Sequence, residues 1–133
     1  MQAAHAADPA MNDWTKADWA ASRRVLALVW GLPSVAMLLA LLLGSGCRAV
    51  VWIAMLIWMG LACLANARRC GRTHCRYTGP FFLGMAALVA AYAAGVLQLG
   101  TQPWLILGSV VVVGNALIRW GSERLLGTYA RRG

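Results

Sequence analysis

Ala49-Val50-Val51-Trp52-Ile53-Ala54-Met55-Leu56-Ile57-Trp58-Met59-Gly60-Leu61-Ala62-Cys63-Leu64-Ala65-Asn66-Ala67 is a run of 19 residues without a charge. A helix rises about 1.5 Å per residue and a bilayer's hydrocarbon core is about 30 Å thick, so such a run has the length of a membrane crossing. The same test extends outward in both directions. Val25 to Leu43 is another 19 uncharged residues and Pro80 to Leu99 is 20. Trp104 to Ile118 is 15, and 17 with Gln102 and Pro103, and it is bracketed by Trp104 and Trp120 at interfacial positions. The predicted fold is therefore all-α, a membrane bundle of four transmembrane helices with short outer turns.

Composition agrees. Of 133 residues, 61% are hydrophobic and 12% charged, against about a quarter charged in soluble domains. The net charge of +8 punctuates apolar runs instead of covering one face, which argues for topology and against nucleic acid. Lys16, Arg23 and Arg24 precede the first run; Arg68, Arg69, Arg72 and Arg76 lie between the second and third. Arg119, Arg124, Arg131 and Arg132 follow the fourth, and Arg48 alone falls in an outer turn. Four spans put 11 of the 12 basic residues on one side. The positive-inside rule then makes that side, with both termini, cytoplasmic in a bacterial inner membrane.

The organisation expected is an arm at 1–24, spans at 25–43, 49–67, 80–99 and 102–118, a Cys/His/Arg loop at 68–79, and a basic interfacial tail at 119–133. Asn12-Asp13 reads as the cap of a short arm helix carrying Trp14 and Trp19. Pro33 is expected to kink the first span. Cys70-Gly71 reads as a glycine stop, and Thr78-Gly79-Pro80 as the next helix start, with Pro80 in the first turn. Ala87, Ala91 and Gly95, beside Ala86, Ala90 and Ala94, form small-residue stripes for close packing, as do Gly108, Ser109 and Gly114. Ser22-Arg23-Arg24 and Leu43-Gly44-Ser45-Gly46-Cys47 resemble export signals but are read as membrane flanks.

Chemistry concentrates in Arg68-Arg69-Cys70-Gly71-Arg72-Thr73-His74-Cys75-Arg76. Thiols beside guanidinium groups and a helix N-terminus are expected to be acidified. On the cytoplasmic side they stay reduced. Such thiols with an imidazole bind soft ions: zinc, copper(I) or mercury(II). Cys70 and Cys75 are the expected primary ligands, with His74 and Cys63 assisting. Cys63, Asn66 and Cys70 share one helix face, while the adjacent His74 and Cys75 side chains are expected to diverge. Arg68, Arg69, Arg72 and Arg76 are the expected contacts to lipid headgroups or other anions. Cys47 lies apart, on the outer side.

The run from Asn66 to Phe82, with its Cys-Gly-Arg-x-His-Cys-x-x-Thr-Gly-Pro core at 70–80, resembles a loop of small bacterial integral membrane proteins that have no established activity. The likeness covers this loop and its flanking helices, about a quarter of the chain. It implies a bacterial membrane protein and lends no mechanism.

No ionisable residue lies within a span, which counts against proton-coupled exporters. Acid–base pairs, nucleophile elbows and phosphate-binding loops are missing, so an enzyme is not expected. The leading function is binding or moving a soft metal ion. The alternative is a non-catalytic scaffold or accessory subunit whose arginines dock lipid or a partner, and a Cys70/Cys75 redox sensor is a third class. Membrane lipids are the expected partners, with a second copy of the chain or another membrane protein as candidates.

Overall fold

The computed structural model describes residues 18–127 and is all-helical over them, with four helices and no strand. After a single 3-10 turn at Trp19–Ala21 come α1 (Arg23–Ala40), α2 (Ser45–Cys70), α3 (Thr73–Ala93) and α4 (Pro103–Leu126). By length and composition α1, α2 and α4 are each apolar enough to cross a membrane. The expected Asn12-Asp13 cap, Trp14, Lys16, Arg131 and Arg132 lie outside the described residues.

Proline shapes α1. Pro33 cannot donate to an α ladder, and the chain answers with a wide π turn over Ala27–Gly31 immediately before it. Such turns absorb a broken ladder without ending the helix. The Trp30 carbonyl within that turn accepts a hydrogen bond from the Ser34 hydroxyl at 2.7 Å.

The turn into α2 is fastened by Arg48. Its guanidinium donates to the carbonyls of Ala40, Leu41 and Leu43, at 3.3, 2.8 and 2.7 Å. These lie at and just after the end of α1, where carbonyls lack α-helical partners. The same guanidinium lies 5.1 Å from the Trp104 ring centre. Arg48, expected in an outer turn, lies in the first turn of α2 and has a capping role. The Trp52 indole adds a hydrogen bond to the Met37 carbonyl at 3.0 Å.

α2 stops where a glycine allows it. Gly71 takes the left-handed conformation (φ 69°, ψ 22°), and its N–H reaches the Ala67 carbonyl. Helix resumes at once, which corrects the expected loop at 68–79: only Gly71 and Arg72 lie between α2 and α3. Thr78-Gly79-Pro80 is not a helix start. The Thr78 hydroxyl bonds the His74 carbonyl one turn back, and Pro80 lies inside α3.

The far end of α3 is also earlier than expected. Val96 N–H bonds the Ala91 carbonyl and Gly95 N–H the Tyr92 carbonyl, with Gly95 at φ 74°. This is a glycine-stopped terminus, so Gly95 ends the helix and is no part of a packing stripe. The expected span at 80–99 is replaced by a helix at Thr73–Ala93 that carries Arg76, Tyr77 and Thr78 in its first half.

α2 and α3 form the central pair, joined by Leu56, Met59, Cys63, Phe82, Met85 and Val89. Their closest approach is at two glycines. A Cβ on Gly79 would lie 2.6 Å from Leu64 Cγ and 3.1 Å from the Gly60 carbonyl oxygen; one on Gly60 would lie 3.0 Å from the Gly79 oxygen. The close-packing role expected of the alanine stripe thus falls to Gly60 and Gly79. Gly114 of α4 receives the Phe81 ring, and Gly108 faces Trp52. α1 packs on α2 and α4 on α3, leaving an open groove between α1 and α4. On the outside, Leu38, Leu42, Val50, Leu105 and Val112 are each more than half exposed.

Candidate functional site

The sharp turn at Gly71 folds the first turn of α3 back onto the last turns of α2. This sets Thr73, His74 and Cys75 against the α2 face that carries Cys63 and Asn66, and all five are buried. The end of α4 supplies Glu123, and the segment before α1 supplies Asp18. Asp18, Arg72 and Glu123 meet, so the N-terminal segment, the α2–α3 turn and the end of α4 share one end of the molecule.

Two linked networks fill this end. In the first, the Asp18 carboxylate accepts from Arg72 Nη1 and, at 2.9 Å, from Asn66 Nδ2. Asn66 Oδ1 in turn accepts from the Trp19 backbone N–H at 2.9 Å. A carboxylate with no exposed side-chain surface needs such partners to remain charged. In the second, His74 Nδ1 lies 2.7 Å from Glu123 Oε1 and His74 Nε2 lies 3.5 Å from Cys75 Sγ. Arg72 also approaches His74 Nδ1, at 3.4 Å. Nδ1 cannot donate to Glu123 and accept from Arg72 at once, and the shorter contact to a carboxylate decides for donation. Nε2 is then the nitrogen that faces sulfur.

Cys63 of α2 and Cys75 of α3 are neighbours across the helix pair, both buried. The Trp30 indole donates to Cys63 Sγ at 3.2 Å, and Asn66 Nδ2 approaches Cys75 Sγ at 3.7 Å. Cys63 and Cys75 are both free thiols. The chain thus brings Cys63 to Cys75, where the sequence pointed to Cys70 with Cys75. The side chain of Cys70 lies outside the described residues.

The electrostatics correct another expectation. The Cys75 thiol is not acidified: the hydrogen bond with Cys63, then burial, push its pKa well up, and His74 opposes only in part. Burial pushes the His74 imidazole down most strongly, yet the Cys75 thiol and the Glu123 carboxylate together raise it above its ordinary value, against Arg72. The two side chains do not diverge either, since the imidazole curls back over its neighbour's sulfur.

The arginines divide. Arg72 turns inward to Asp18 and Glu123. Arg69 lies over the Trp19 ring at 5.1 Å; Arg68 and Arg76 are exposed. Asp18 and Glu123 went unread in the sequence, although a chain with four acids among twelve basic residues offers a ready signal: each carboxylate has many cations competing for it.

Among the described residues, no group of three or more His, Cys, Asp or Glu side chains is arranged to hold a metal ion. Of the expected set of Cys63, Cys70, His74 and Cys75, the described side chains bring together Cys63 and Cys75, two sulfur donors, with the His74 imidazole beside them. Zinc asks for four ligands; a two-coordinate soft ion asks for two. Compared with known proteins, the chain matches no family model, no curated protein and no solved structure.

Proposed function

We propose that this chain is a small integral membrane protein that takes up copper(I), or a similar two-coordinate soft ion, on Cys63 and Cys75. The observation that carries the reading is the contact of these two reduced thiols, with His74 Nε2 beside them and His74 Nδ1 held by Glu123. Imidazoles that assist metal binding are oriented by a carboxylate in this way. Binding replaces two S–H protons by one ion, giving a bis-thiolate of single negative charge. His74 receives one proton, and Arg72 lies close enough to balance the charge. The raised pKa of Cys75 keeps that thiol protonated until a thiophilic ion displaces the proton.

Four crossings, with the site and both termini on the cytoplasmic side, complete the reading. Support comes from the outward-facing apolar side chains and from Asp18, Arg72 and Glu123 meeting at one end, as an even number of crossings requires. α3 is lower in hydropathy than the other three helices, and it is the helix that packs between α2 and α4. A thiol-blocking maleimide that cannot cross membranes should label Cys47 and spare Cys75 in intact cells.

The test of function is copper(I) titration of the detergent-purified protein against a chromophoric chelator. Wild type should take one ion per chain and the Cys63→Ser, Cys75→Ser double variant none. Equal, near-zero uptake by both would leave the scaffold reading in its place. Loss of uptake in Cys70→Ser alone would move the pair to the turn.

A further inference from the structure

Two cavities share a wall beside Asn115 and Arg119 of α4. The larger, about 500 Å³, is the groove between α1 and α4, walled by Met37, Trp52, Met59, Phe82 and Val111. The smaller, about 180 Å³, lies beside the thiols and is lined by Arg72, His74 and Thr78. Trp30, Asn115 and Arg119 line both, so an apolar trough runs into a polar pocket. The trough is in the size range of small-molecule sites, about 300–1,000 Å³, but it is open along one side, as a site for a chain entering from lipid would be.

Charge selects the occupant. Asp18 is taken by Arg72 and Asn66, and Glu123 by His74 and Arg72. These are the two carboxylate side chains among the described residues. Arg119, at the junction of trough and pocket, makes no ion pair among those residues. We propose that the groove binds an anionic phospholipid, one acyl chain lying along α1 and α4 and the phosphate resting on Arg119 and Asn115. A zwitterionic lipid fills the trough equally well but brings a cation to a junction already rich in arginine. A free phosphate has no use for the trough. The inference rests on the membrane placement proposed above and is independent of what the thiols bind.

Brominated acyl chains quench tryptophan on contact, and Trp30 and Trp52 line the groove. The experiment reconstitutes the protein in phosphatidylcholine vesicles containing a minor fraction of brominated phosphatidylglycerol or, separately, of brominated phosphatidylcholine. Wild type should favour the anionic lipid about fivefold, the scale of one arginine near a headgroup. Arg119→Gln should abolish the preference and Arg119→Lys should keep it, which separates lost charge from lost fold. Arg124→Gln, whose guanidinium sits over Trp120 at 4.9 Å, should also keep it. Equal quenching by both lipids in wild type, or an undiminished preference in Arg119→Gln, overturns the inference alone. Failure to insert into either vesicle overturns the membrane placement and the inference with it.

Discussion

His74 and Glu123 stand 49 positions apart in sequence and meet at 2.7 Å. That contact fixes the imidazole so that its second nitrogen faces Cys75, and it ties the end of α4 to the start of α3.

The contact adds to a pH dependence of stability in which the neighbouring Cys75 thiol has the larger raising effect on His74. The folded His74 pKa lies above the ordinary imidazole value of 6.5. Its stabilisation is therefore complete below that value and is lost as pH rises through the raised one. Wild type should lead Glu123→Gln in thermal midpoint most at acid pH, with the gap closing toward alkaline pH. A gap that widens with alkalinity would refute the assignment.

Copper(I) uptake should move the other way. At least one thiol proton leaves for solvent, so apparent affinity should rise about tenfold or more per pH unit around neutrality. Competition titrations at several pH values measure this, and a flat profile would exclude thiol ligation.

Asp18→Asn removes the carboxylate from a pair whose side chains are 0% and 15% exposed. Breaking a buried pair costs about 3–5 kcal/mol, and retention of Glu123 by Arg72 puts this case at the low end, about 3 kcal/mol. Unfolding in mixed detergent reads the loss. An Asp18→Leu, Arg72→Met double variant should recover part of it, because no charge is then stranded.

Gly79→Ala should destabilise by about 1–3 kcal/mol through overpacking against Leu64 and the Gly60 backbone. Gly84→Ala is the matched control. Its added methyl meets nothing within 4 Å, and its effect should stay within about 0.5 kcal/mol. Equal melting of the two variants would mean that the helices are not in close contact at Gly60 and Gly79.

Arg48→Met strips the end of α1 of three capping bonds. The loss should be about 1–2 kcal/mol, less than full charge-assisted bonds give in a buried site. Arg48→Lys should recover only part, since an ammonium lacks the planar fork. A variant as stable as wild type would show that water caps those carbonyls equally well.

Hydropathy made the helices legible, because a 19-residue apolar run has few other uses, and Gly71 was legible as a stop because helices so often end on glycine. Pro80 misled for a physical reason. Proline suits a first turn, but here α3 begins seven residues earlier and carries the proline within it. Gly95 misled in the opposite sense: its spacing from Ala87 and Ala91 fits a stripe, yet its backbone freedom is what the chain uses. The approach of Cys63 to Cys75 was hidden because sequence proximity drew attention to Cys70. Only the tight return at Gly71 shows that the first turn of α3 faces Cys63, more than two helical turns back along α2. Asp18 and Glu123 were illegible as a pair of anchors, since spacing gives no hint that the two ends of the described chain converge.

That convergence bears on how the protein is made. Asp18 leaves the ribosome long before Arg72 exists, and His74 must wait a further 49 residues for Glu123. Until α4 is in place, the nascent chain holds an imidazole without its carboxylate, so a chain that stops short of Glu123 leaves this end of the molecule open. Quality-control proteases can tell chains with and without α4 apart at that one corner.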